Sequence, residues 1–479
     1  MKKLFAIIIA NCCFVFIAFG QNTTVSFRSS DNAMQNAFTH AKEMALHYQG
    51  NTNDPVGPWY EAALPSREAF CMRDASHQCI AAEVLGMSLE NKNMFSLFVK
   101  NISKNKDWCS YWEINKYGLP APADYRNDKE FWYNLNANFD LIYACLRLYS
   151  WTSDESYIKN QIFTNFYEKS VNEYIDKWVL HADSLLIRPA FPIASVNFNI
   201  NDNFHRCRGL ASYSEDVSDL KIGVDLIAAI YRGLLSYSYI LKLNGDTTKA
   251  AYYEKKANSY QEKIDLDWWN NTDSLYNTYY TIDGKFGKGN GEVFLLWFDV
   301  VKDNERVRKT IDHLISEDLN VETQSYFPVI LYKHGLNKEA RDYIIHLASP
   351  ETKRREYPEV SFGVIEGIVQ GLMGIEPDAE SNRISTIYRG QNGTLSELDS
   401  FPSLGTNISL KHESQKSYFN NNGKTRINWT AQFAGNYKYV FVNNKRILAQ
   451  HKYDISGNPV SYIDTMVESG KKMIAICTK

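Results

Sequence analysis

The chain has 479 residues, with 44% hydrophobic and 22% charged side chains and a formal net charge of −3. That balance gives no electrostatic reason to expect nucleic acid or an anionic membrane surface as partner, and the length exceeds what one hydrophobic core usually organises, so a large domain with a smaller one is expected. Aromatics reach 14%, with 31 Tyr and 10 Trp, more than packing alone needs.

Lys2 and Lys3, the apolar run Leu4 to Phe19 and the small-residue step Gly20–Gln21 read as a secretory signal peptide over residues 1–20. The apolar run falls short of the roughly 20 residues of a spanning helix, and Asn11 interrupts it, so no membrane span is expected after its removal. The mature chain is expected to be exported, periplasmic or secreted. Cys71, Cys79, Cys109, Cys145, Cys207 and Cys477 then remain. They form no C-x-x-C pair, His205 beside Cys207 is isolated, and there is no D-x-D-x-D-G loop, so neither metal nor cofactor is expected. Most of these cysteines read as buried thiols, with one disulfide allowed.

From Asp31 to about Gly374 the apolar spacing is helical, broken by Asn, Asp, Gly and Pro, and predicts about twelve helices. In chain order these are 33–48, 74–85, 91–103, 138–151, 153–179, 218–243, 247–264, 291–301, 304–316, 325–333, 338–347 and 360–373. Leu243-Asn-Gly-Asp246 predicts a tight helical hairpin, with Gly as the left-handed stop and Asp as the next N-cap. Such pairs, with no strands between them and no fixed repeat length, predict a mainly α toroid, an (α/α)6 barrel, rather than a solenoid. The long insertions 104–136 and 188–217 are expected to gather at one mouth. From Ile384 the pattern alternates, as in Asn407-Ile-Ser-Leu-Lys-His, and predicts a small antiparallel β-sandwich. The expected division is 1–20 signal, 21–383 barrel and 384–479 sandwich.

Candidate chemistry concentrates between Gly57 and Asn138. Trp59, Tyr60, Arg67, Arg73, Asp74, His77, Trp112, Glu113, Asp124, Tyr125, Trp132, Tyr133, Asn134 and Asn138 fall within this stretch. Aromatic faces beside carboxylates, amides and guanidinium groups suit a sugar, whose ring offers apolar C–H faces and a rim of hydroxyls. Any of these aromatics also serves as core filler, and Asp74 as a helix cap. The expected partner is a carbohydrate.

Glycoside hydrolysis needs two carboxyl groups on separate loops. Three places qualify: Glu215-Asp216, Glu322, and Arg355-Glu356-Tyr-Pro-Glu359. Each carboxylate also suits a helix start.

Glu215-Asp216 followed by Gly223-Val-Asp225-Leu226 resembles the segment of the six-hairpin glycosidases, trehalases and processing glucosidases among them, in which an acid precedes a Val-Asp-Leu helix. Glu356-Tyr-Pro-Glu359 before the last barrel helix resembles their late Glu-x-Tyr region. The resemblance implies a general acid at Glu215 or Asp216, a general base at Glu359 or Glu356, Glu322 and Arg355 at the substrate, and inversion of configuration across carboxyl groups roughly 6.5 to 9.5 Å apart. Two other readings stay open: a polysaccharide lyase or unsaturated-uronide hydrolase on the same barrel, using His77, Arg73, Arg206 or Arg355, and a glycan-binding protein without catalysis.

Overall fold

The computed structural model describes residues 25–189, 208–214, 217 and 219–478. The expected signal segment, Arg206, Cys207, Glu215 and Asp216 lie outside the described residues.

Twelve α-helices of five residues or more are found among the described residues: α1 Asn32–His47, α2 Met72–Val84, α3 Ser88–Lys100, α4 Ala137–Thr152, α5 Gln161–Lys169, α6 Val224–Leu243, α7 Thr247–Lys263, α8 Val293–Trp297, α9 Asn304–Ser316, α10 Phe327–Lys333, α11 Asn337–Ala348 and α12 Pro358–Glu366. They alternate in character. The odd-numbered helices bury one stripe and expose the other face, whereas the even-numbered ones are buried nearly all round. In α2 every residue except Arg73 and Asp74 is buried. Alternating one-faced and all-round helices give two concentric rings, an (α/α)6 barrel. The inner ring runs α2–α4–α6–α8 by direct packing and closes where α12 packs against α2. Helix α6 is long and apolar enough to cross a membrane, but that composition belongs to a helix walled in by its neighbours.

Short connections follow the turn chemistry. Gly245 takes φ +86°, and the Asp246 carboxylate then accepts the Lys249 N–H at 3.1 Å to start α7. The expected helix 153–179 is interrupted because the Asn160 side chain caps a new start at Gln161. The expected helix from Ser218 begins at Val224, after a strand Leu220–Gly223 that pairs with Tyr279–Thr281.

The β module is two facing sheets. A seven-stranded sheet contains Leu395–Ser403, Thr406–Glu413, Lys416–Asn421 and Lys472–Thr478, and the strand Ser26–Ser29 joins its edge beside Leu395–Ser403. The first described strand thus sits in the C-terminal sheet, which the expected division at residue 384 did not foresee. A five-stranded sheet starts at Glu376, and its pair Arg383–Ile387 with Ile427–Ala434 is parallel, so the module is not wholly antiparallel. It is tied to the barrel by Trp151, whose Nε1 donates to the Pro402 carbonyl (2.9 Å) and whose carbonyl accepts from the Leu404 N–H (2.7 Å).

Helix α2 also buries Glu83, whose carboxyl accepts from Asn91 Nδ2 at 2.9 Å and from the Ser88 hydroxyl. No cation neutralises it, and burial pushes its pKa up from 4.5 to about 7. The folded protein therefore holds this proton more tightly than the unfolded chain does, and stability is lost as pH rises from 4.5 through 7. A shift of this size corresponds to about 3 kcal/mol. Glu83→Gln keeps both hydrogen bonds without the charge. Urea unfolding should show the variant equal to the wild type near pH 4.5 and more stable at pH 8, and an equal gap at both values would disprove the assignment.

Candidate active site

The six inner helices point the same way, and their N-termini meet at one mouth. None takes a side-chain N-cap among the described residues. Four of them instead carry an acid in the first turn: Asp74 in α2, Asp140 in α4, Asp225 in α6 and Glu359 in α12. Uncapped N–H groups and the positive ends of the helix dipoles favour negative charge there.

Arg73 organises the centre. Its Nε donates to Asp74 Oδ1 at 3.0 Å and its Nη2 to Glu322 Oε1 at 2.9 Å. The guanidinium is covered by Trp112, 5.6 Å from the ring centroid, and by Tyr213 at 5.0 Å. Asp74 and Glu322 thus take Nε and Nη2 of this cation, with two aromatic rings packed against it. Glu322 also accepts from the Tyr213 hydroxyl (3.2 Å), which lies 3.2 Å from the Tyr326 hydroxyl. Tyr326 in turn meets His77 Nδ1, and His77 Nε2 faces the buried Asp140 at 3.8 Å.

Glu359 faces this group from α12. Its Oε2 is sealed from solvent without a hydrogen-bond partner. Burial, then the nearby Asp74 and Glu322 carboxylates, hold its carboxyl well above the usual range, with Arg73 pulling the other way. Glu359 therefore favours its protonated form more than an ordinary carboxyl does, beside two carboxyl groups bound to a cation. Carboxyl groups in settings this different suit separate donor and acceptor roles in proton transfer.

Asp225 holds the next wall. It accepts from Asn136 Nδ2 (3.0 Å) and from the Tyr213 N–H (3.1 Å), and burial raises its carboxyl to about 6. Gly223 is needed there, because a Cβ on it would lie 2.4 Å from Asp225 Oδ1 and 2.7 Å from Ala211 Cβ. A second carboxyl pair, Glu113 and Asp124, shares Arg67 Nη2 at 2.7 and 2.9 Å. Burial and the Asp124 carboxyl beside it lift Glu113 to about 9.

Of the residues expected at a sugar, the structure brings together Arg73, Asp74, His77, Trp112 and Glu322, with Glu359. Arg67, Glu113 and Asp124 form the adjoining cluster. Tyr125 bonds Asp128 through its hydroxyl (2.6 Å), and Trp132 packs half-buried on the core. Several expectations are corrected. Tyr60, Tyr133, Asn134 and Asn138 are fully buried. Tyr60 donates to Asn91, and Asn138 bridges the Tyr133 hydroxyl, Ser170 and the Trp108 carbonyl. Trp59 is buried, with Nε1 on Asp54. Arg355 turns to the Ala348 carbonyl, and Glu356 is exposed, with its carbonyl bound by Tyr48. Tyr213, Tyr326 and Gln78 were not singled out; ring closure brings the two tyrosines to the site, while Gln78 follows His77 on α2.

No family model matches the sequence, and a search of curated proteins finds no match. Among solved structures, the chain is similar to an α-L-rhamnosidase from Dictyoglumus thermophilum, with a TM-score of 0.59 and 13% identity over 96% of this chain and 51% of that one. It is similar to the GH78 family rhamnosidase of Bacillus sp. GL1, with a TM-score of 0.55 and 12% identity over 83% and 40%. A sialidase gives a TM-score of 0.51 and 10% identity over 94% and 41%. These likenesses establish the fold. The chain spans about half the length of these proteins or less.

Proposed function

We propose that this protein is a glycoside hydrolase in which Glu359 is the proton donor and the Arg73-bound carboxylates Asp74 and Glu322 handle the attacking water. The observation that carries the reading is Glu359, its Oε2 sealed from solvent, facing two carboxyl groups bound to Arg73 at the mouth of the barrel. In one turnover the Glu359 proton passes to the glycosidic oxygen, and the C1–O bond breaks with its electron pair on the leaving alcohol. Water adds to C1 and gives its proton to the waiting carboxylate. The upward shift of the Glu359 carboxyl favours it as acid rather than as the base expected from the sequence. Names attached to the similar structures suggest α-L-rhamnosides and sialosides as first substrates to try.

A uronate-directed lyase is less well supported, since Arg73 already holds two of the protein's own carboxyl groups and Arg355 turns to the Ala348 carbonyl. The test is a panel of nitrophenyl glycosides, α-L-rhamnoside included, followed by proton NMR of the first-formed anomer. Release of nitrophenol is expected, abolished in Asp74→Asn or Glu322→Gln. An absorbance rise from an unsaturated product with no glycoside cleaved would reject the hydrolase reading.

A further inference from the structure

Beneath the carboxylates the barrel axis continues as a small chamber between His77, Gln78, Trp297, Tyr326, Glu359 and Phe362. Its floor is Glu366, in a buried ion pair with Arg147. The chamber has about 20 Å³ of room for the centres of water-sized spheres, where one water needs roughly 10–15 Å³. A sugar ring does not fit.

Three of the lining side chains present sealed polar atoms without a hydrogen-bond partner among the described residues: both amide atoms of Gln78, Trp297 Nε1 and Glu359 Oε2. Gln78 is only 2% exposed. Buried polar atoms left unpaired are costly, and cavities that stay dry are apolar ones. This lining is mixed in kind. Trp297 only donates, Gln78 both donates and accepts, and the Glu359 carboxyl does either according to its proton. Water is the small molecule that meets donors and acceptors at once.

We propose that this chamber binds ordered water, held by Gln78 and Trp297 against Glu359 Oε2, and that Gln78 is thereby a positioning residue for the proton donor. The catalytic half rests on the glycosidase reading, while the water site does not. Around Glu359 stand Tyr48 from α1, Arg73 and Asp74 from α2, Glu322 ahead of α10, and Glu366 with Arg147 below. A change at Gln78 leaves all of these charges in place. Water beside Oε2 stabilises the ionised carboxylate, so its loss makes Glu359 hold its proton to higher pH.

The test is Gln78→Leu, with Gln78→Met read the same way if the leucine variant does not fold. Crystals of the wild type should show water within hydrogen-bond reach of Gln78 and Glu359, and crystals of the variant a dry chamber. Carbon-13 NMR titration of Glu-labelled protein, assigned with Glu359→Gln, should move the Glu359 midpoint up by about one pH unit. On a cleaved glycoside, the alkaline limb of kcat/KM should follow with KM unchanged. A dry wild-type chamber, an unmoved midpoint in a folded variant, or a raised KM with an unmoved limb would each overturn the proposal, the last by making Gln78 a sugar contact. If no glycoside is cleaved, the glycosidase reading fails while density and titration still decide the water site.

Discussion

Glu359→Gln is expected to lower turnover of a poor-leaving-group glycoside by about 10² to 10⁴, the contribution of a positioned general acid, while losing far less on a dinitrophenyl glycoside. The contrast arises because a good leaving group departs without a proton, so only the step that Glu359 assists is slowed. The fold should survive. Gln mimics the neutral carboxyl, and because burial and two neighbouring carboxylates oppose ionisation of Glu359, the variant should be at least as stable as the wild type above neutral pH. Rates on the two leaving groups, measured beside a thermal unfolding curve, check all three statements. Equal losses on both glycosides would move Glu359 from donor to water-activating base, the role the sequence resemblance implied.

Much of the barrel is legible in the sequence, because its breaks are chemical. Gly245 and Asp246 stop and start helices through bonds that the structure shows formed, whereas Asn160 caps a start inside what the apolar spacing reads as one helix. Which helices line the axis is legible only in hindsight, through burial on every face of the even-numbered ones. The site is harder to read. Arg73, Asp74 and His77 are neighbours on one helix turn, so local density exposes them. Glu322, Tyr213 and Tyr326 reach them only through ring closure, which no local pattern encodes, and Gln78, though on the same helix, lies on a fully buried stretch that reads as core. The same density misleads at Tyr60, Tyr133 and Asn138. A long insertion must satisfy its own backbone and polar groups, and Asn138 does this by joining Tyr133, Ser170 and the Trp108 carbonyl. Aromatic and amide residues in such a loop serve its interior as readily as a ligand.

Arg73→Met should be the most damaging single change to stability at the site. Arg73 is 12% exposed and is the cation shared by Asp74 and Glu322, themselves 12% and 24% exposed. Methionine fills similar space between Trp112 and Tyr213, so the effect isolates charge from packing. Removing one partner of a buried ion pair costs about 3–5 kcal/mol, since the charge left behind has neither water nor a counter-ion. Three carboxyl groups, Asp74, Glu322 and Glu359, would then face one another without that cation. The sign with pH follows: carboxyls crowded in this way take up protons in the folded state above their unfolded values, so stability returns as pH falls and is lost as pH rises. Urea unfolding at pH 5 and pH 8 should therefore show a deficit that is larger at pH 8. Arg73→Lys restores one charge but not the fork that spans two carboxylates, and should recover part of the stability and little of the turnover. A methionine variant with the wild-type stability and pH slope would mean that Asp74 and Glu322 do not depend on Arg73 for their charge, and the acid–base assignment built on that cluster would fall with it.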